Sequence, residues 1–205
     1  MYHSAVRLIL ASASPRRSEL LRAAGFDFQV VPADVDERPH PGEAPDAYVR
    51  RVALDKAMAV ATCLPDAVVL AADTCVVVDD AILGKPADAA EAASMLAMLS
   101  GRAHDVLTGV VVIGPAGTRV ESADSRVEFA PLSAAEIAWY VASGEPSDKA
   151  GAYAIQGLAS RFVERVEGSY SNVVGLPVAL VYRLLLEQGF AARAADGPGR
   201  TARVS

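Results

Sequence analysis

The sequence has no run of about 18 uncharged apolar residues, so a membrane-spanning helix is not expected. Its first residues, MYHSAVRLILAS, hold too short an apolar stretch for a secretory signal, and the protein reads as cytoplasmic. Cysteine is scarce: Cys63 and Cys75 lie in apolar stretches, without CxxC spacing or neighbouring histidines. That argues against a disulfide framework or a structural zinc site, and both read as small core residues. Positive charge is in deficit, with 19 Lys and Arg against 25 Asp and Glu, a formal charge of −6. A protein that coats nucleic acid needs a broad basic face, so this balance argues against that class. Also missing are the P-loop pattern G-x-x-x-x-G-K-[ST], G-x-G-x-x-G, H-E-x-x-H and an EF-hand loop. His104 beside Asp105 invites a triad reading, but no G-x-S-x-G context supplies a nucleophile.

What is present is a chain of 205 residues, 52% hydrophobic, long enough to bury a sizeable core. We expect one domain over residues 1–190 and a small, polar, glycine-bearing tail over 191–205 that reads as mobile. VRLILA reads as a buried strand, SASP as a break, and PRRSELLRAAG as a helix with Ser14 as N-cap and Pro15 at its first position. FDFQVV is a second strand candidate. PDAYVRRVALDKAMAVATCL predicts a long helix with Val49, Val52, Ala53, Ala57 and Val60 on one apolar stripe. VVLAADTCVVVDD predicts a strand into Asp73 and a second after it, turning at DDA. AAEAASMLAMLSG predicts an amphipathic helix. HDVLTGVVVIGPAGTRVESADSRVEFAPL predicts a hairpin around GPAG, and SAAEIAWYVASGE opens on a capping box, Ser133 with Glu136. RFVERVEG reads as a strand and VVGLPVALVYRLLLEQG as a final helix. The alternation points to an α/β fold with at least one antiparallel hairpin.

The basic residues are local islands, which suits a small polyanion in a cleft. In LASASPRR, serines and arginines stand where a strand meets a helix start, where free N–H groups and the dipole favour phosphate. An ordinary capped helix with solvated arginines explains the segment equally well. Lys56 shares the inward stripe of its helix with Val52 and Val60; it calls for an anion, or else it snorkels to water. Lys85 sits between a turn glycine and a rigid proline, or is simply a loop lysine, and Glu37 is by default a solvated acid. Asp73 is the sharpest anomaly, because an ionised acid among valines needs a metal or a cation. It could also accept backbone N–H bonds at a tight turn between two strands. Basic residues, hydroxyls and two acids without a covalent nucleophile suggest metal-assisted attack of water on a phosphate ester or anhydride.

Taken in order, LASASPRRSELL, VDE, RVALDKA, AADT, LGKP, LSGRAHDVLTG, SGEPSDKAGAYAIQG and GSYSNVVGLPV resemble the Maf family of nucleoside triphosphate pyrophosphatases, also called septum formation inhibitor-like proteins. The match runs from about residue 8 to about residue 189. The resemblance implies a fold like that of inosine triphosphate pyrophosphatase, an elongated central mixed sheet with flanking helices and a cleft between two lobes. It implies hydrolysis between the α and β phosphates with a divalent cation, Mg²⁺ or Mn²⁺, and a homodimer. Carried over by motif, Asp73 is the proton acceptor for water, with Ser12, Arg17, Glu37, Lys56 and Lys85 in the phosphate and metal cluster. Glu37 and Asp73 would be the metal ligands. Arg16, Thr74 and Gln156 match the subclass acting on dTTP and UTP, and Lys149 is a further candidate to face the nucleotide. A glutamine amide offers both donor and acceptor to the O4, N3–H edge of uracil or thymine. Two rivals stay open: a nucleotide-sensing regulator of cell division with little turnover, and a house-cleaning hydrolase of modified nucleotides.

Overall fold

The computed structural model describes residues 7–190, so the expectation for 191–205 lies outside the described residues. Strand β1 (Arg7–Leu10) runs parallel to β2 (Gln29–Val30) on one side and to β3 (Ala67–Val78) on the other. Strand β5 (Ala103–Gly114) lies antiparallel along β3 and turns through Pro115 and Ala116 into β6 (Gly117–Phe129). Strand β7 (Val163–Gly168) closes that edge, and the short β4 (Ala81–Leu83) pairs with the far end of β3. The result is a seven-stranded mixed sheet in the order β2-β1-β3-β5-β6-β7, with β4 beside β3.

Helix α1 (Pro15–Ala23) follows β1, and α2 (Pro45–Ala61) covers one face of the sheet. The stripe predicted on α2 is buried, and Ala53 and Ala57 pack on Val69 and Ala71 of β3. The opposite face is divided. Val68, Leu70 and Ala72 meet Leu21 of α1 and Leu184 of α6 (Val178–Glu187), forming one core. Val76 and Val78 belong to a second core with α3 (Ala89–Leu99) and α4 (Ala134–Ala142). Alternation along β3 therefore buries two hydrophobic clusters end to end, and Thr74 falls between them. Burying each valine stabilises the fold by roughly 1.5–3 kcal/mol.

Four expectations need correction. Strand β3 does not break at Asp73 but continues to Val78, turning at Asp79 and Asp80, both in the left-handed region with φ 48° and 62°. The final apolar segment is two helices, α5 (Tyr170–Val174) and α6, because Gly175 adopts φ 123° and Pro177 has no N–H to continue the ladder. Cys63 is exposed, unlike Cys75. Ser14 holds the N-cap position of α1, but its hydroxyl makes no capping bond; its N–H donates to Ser12 Oγ at 3.2 Å instead. The capping box of α4, Ser133 with Glu136, is formed. Among the described residues no helix is long and apolar enough to cross a membrane.

Candidate active site

The sheet explains where an acid on a central strand finds open space. Along one edge, β3 pairs with β1 only as far as Leu70, and with β4 only from Val76. Between them, Ala71 to Cys75 have no strand partner on that edge among the described residues. A cavity of about 350 Å³ opens at this fork. Its walls are the chain leaving β1 (Ser12–Arg17), the chain leaving β4 (Gly84 and Lys85), and the loop of residues 147–156. Asp73 and Thr74 point to opposite faces of the sheet at the gap, so two sets of groups meet there.

On the α2 face, Lys56 Nζ stands 2.7 Å from Asp73 Oδ1 and 2.6 Å from Glu37 Oε1. A side-chain exposure of 8% excludes the snorkelling reading of Lys56, and Asp73 caps no turn: it lies inside the unbroken β3, with Oδ1 on Lys56 and Oδ2 without a partner. Gly109 is the register partner of Asp73, and a Cβ there would collide with the Val49 carbonyl of α2. The glycine therefore lets α2 approach the sheet, and Lys56, seven residues on, comes down over Asp73. Burial pushes Glu37 up, yet Lys56, Lys85 and Arg17 outweigh it and hold the carboxyl below its ordinary value. Lys85 Nζ lies 3.7 Å from Glu37 Oε2 and is mostly exposed. Tyr48 Oη donates to the Glu37 carbonyl at 2.9 Å and so fixes the loop that carries the acid.

On the other face, Arg17 is spread between three partners. Its Nε donates to the Gly175 carbonyl at 2.8 Å, one terminal nitrogen to Ser12 Oγ at 3.3 Å, and the other to Thr74 Oγ1 at 3.1 Å. Thr74 Oγ1 also shares a hydrogen bond of 2.9 Å with Thr108, its register partner on β5. Burial pulls the Arg17 guanidinium below its ordinary value while Asp73 and Glu37 pull the other way. Arg16 faces across the cavity to Asp148, whose Oδ2 lies 3.3 Å from it, and Asp148 also pairs with Lys149.

All ten residues singled out from the sequence line this one cavity, from Ser12, Arg16 and Arg17 through Glu37, Lys56, Asp73, Thr74 and Lys85 to Lys149 and Gln156. Sequence reasoning missed Tyr48, Thr108 and Asp148. The first two act through a helix face and a strand register that no local pattern reveals. Asp148 did carry a signal, an acid directly before a candidate lysine.

The donor set decides whether a divalent cation suits this place. Asp73 Oδ2 is buried without a hydrogen-bond partner, which is costly for an acceptor unless a group from outside the chain meets it. Glu37 offers a second carboxylate within one lysine of it. Among the described residues no cluster of three or more His, Cys, Asp or Glu could hold a metal unaided. Mg²⁺ characteristically binds through one or two carboxylates plus substrate phosphates and waters, so two acids in a cavity that also holds five cationic side chains fit it.

The sequence pattern of the family described as Maf-like protein matches residues 7–188. The chain is 54% identical to the dTTP/UTP pyrophosphatase of Koribacter versatilis over 92% of its own length and 97% of that protein. It is 56% identical to the dTTP/UTP pyrophosphatase of an Anaeromyxobacter species, over 90% of its own length and 91% of that protein. Among solved structures, the Staphylococcus aureus Ham1 protein overlaps 60% of this chain and 71% of its own, with a TM-score of 0.41 and 16% identity.

Proposed function

The chain belongs to the Maf-like protein family, and on that premise we propose that it hydrolyses dTTP and UTP to the monophosphate and pyrophosphate. The observation that carries the reading is the fork in the sheet, where an acid with a partnerless oxygen shares one cavity with four cations on its walls and one in its floor. Arg16, Arg17, Lys56, Lys85 and Lys149 line the cavity together with three carboxylates, Glu37, Asp73 and Asp148; a triphosphate of about four negative charges, with a divalent cation to offset the acids, suits that set better than a neutral ligand does.

The chemistry follows from the positions. Lys56 orients Asp73 through Oδ1, leaving Oδ2 as the acceptor for a proton from water. That water attacks the α phosphorus, the bond to the bridging oxygen breaks, and pyrophosphate departs with its charge matched by Lys85 and the arginines. A divalent cation held by Glu37 and Asp73 would supply charge neutralisation on the phosphate oxygens. Gln156, exposed on the cavity wall, offers donor and acceptor to the pyrimidine edge, and Thr74 and Arg16 complete the subclass pattern.

Hydrolysis of dTTP in ¹⁸O-labelled water tests the reaction directly. Label in the nucleoside monophosphate is expected. Label in pyrophosphate places the attack at the β phosphorus and contradicts the reading, and saturable binding without product favours a nucleotide sensor.

A further inference from the structure

The loop that carries Gln156 is held in an unusual way. Its Gly157 N–H closes a turn onto the Ala154 carbonyl at 3.0 Å, leaving Ile155 and Gln156 as the two central residues. Ile155 packs into the core, but Gln156 is exposed, so packing fixes one side of the turn and not the amide it presents. Both ends are instead bonded to a pair of side chains elsewhere. Before the turn, the Ala154 N–H donates to Tyr140 Oη at 3.1 Å; after it, the Leu158 N–H donates to Glu145 Oε2 at 3.0 Å and the Ala159 N–H to Glu145 Oε1 at 3.4 Å. Tyr140 Oη donates in turn to Glu145 Oε1 at 2.8 Å, so the two ends share one hydrogen-bonded unit.

Two further observations point the same way. A Cβ on Gly157 would overlap the Glu145 carboxylate, with Cδ at 2.5 Å, so the missing side chain is what admits the acid against the turn. The Glu145 carbonyl also accepts from Lys149 Nζ at 3.3 Å, so one residue touches both the lysine and the glutamine loop on this wall of the cavity. Tyr140 is fully buried and anchors the unit to the core.

We infer that Glu145, seated by Tyr140 and admitted by Gly157, is a positioning residue for base selection: it clamps the turn that presents Gln156. The inference rests on the function proposed above. A charged acceptor of three hydrogen bonds is stronger than neutral alternatives, and a turn held at both ends keeps the Gln156 amide from rotating away from the base.

The test compares kcat/KM for dTTP and for dATP in the wild type, Glu145→Gln, Gly157→Ala and Tyr140→Phe, with thermal unfolding measured on each. Glu145→Gln turns one acceptor into an N–H that faces other N–H donors, and Gly157→Ala displaces the carboxylate without touching it chemically. The dTTP-to-dATP ratio is expected to fall about two- to tenfold in each variant, the worth of one hydrogen bond, through KM for dTTP with kcat retained. Wild-type discrimination kept in folded Glu145→Gln and Gly157→Ala overturns the clamp while leaving the function intact, as does an equal loss of kcat on both nucleotides. A wild type that does not prefer dTTP overturns the function proposed, and the clamp as a selector with it. If Glu145→Gln does not fold, Gly157→Ala and Tyr140→Phe carry the same comparison.

Discussion

At the scale of the residue, the site is an exercise in compensating charge where water is scarce. Lys56 is buried on the inner face of a helix because two carboxylates meet its ammonium, and each acid is tolerable because the lysine is there. Removing one partner of a buried pair strands the other, typically at about 3–5 kcal/mol. Lys56→Met should therefore destabilise the fold by about that much, somewhat relieved because Glu37 is partly exposed. Adding Asp73→Asn to it should recover part of the loss. Urea midpoints of the two single variants and the double variant measure this, and a Lys56→Met protein as stable as the wild type would show that the pair is not what holds the lysine inside.

At the scale of the element, the arrangement depends on how close α2 lies to the sheet. Gly109→Ala would set a methyl against the α2 backbone at Val49, and overpacking of this kind costs about 1–3 kcal/mol. Because Lys56 rides on the same helix, kcat should fall as well; a variant with unchanged stability and turnover would mean the contact is slack. Much of this was legible in the sequence: the α2 stripe, the GPAG hairpin and the α4 capping box are local patterns, set by periodicity and turn chemistry. What was not legible is set at a distance. An acid among valines looked like the end of a strand because its counter-charge comes from a helix 17 positions earlier. Apolar periodicity runs through Gly175 to Pro177 on both sides and hid the break between α5 and α6. Tyr48 and Thr108 were likewise invisible, since their roles arise from a helix face and a strand register.

At the scale of the whole molecule, two properties follow from the fold. His104 is buried between Phe129 and Tyr153, bonded through Nε2 to Tyr153 Oη at 2.9 Å, and burial with Arg126 nearby lowers its pKa from 6.5 to about 4. Between those values the unfolded chain holds more protons than the folded one, so stability rises with pH across this window and is lost as pH falls through it. The loss should be on the order of 3 kcal/mol, and His104→Phe should flatten this part of a plot of urea midpoint against pH. An equally steep plot in the variant would assign the loss to other groups. Catalysis, finally, needs the fork in the sheet, both cores and the loops around the cavity together, and its central claim concerns one oxygen of one acid. The most direct measurement is kcat of folded Asp73→Asn on dTTP. A fall of about 10² to 10⁴ is expected for the loss of a general base, and full turnover would contradict the account.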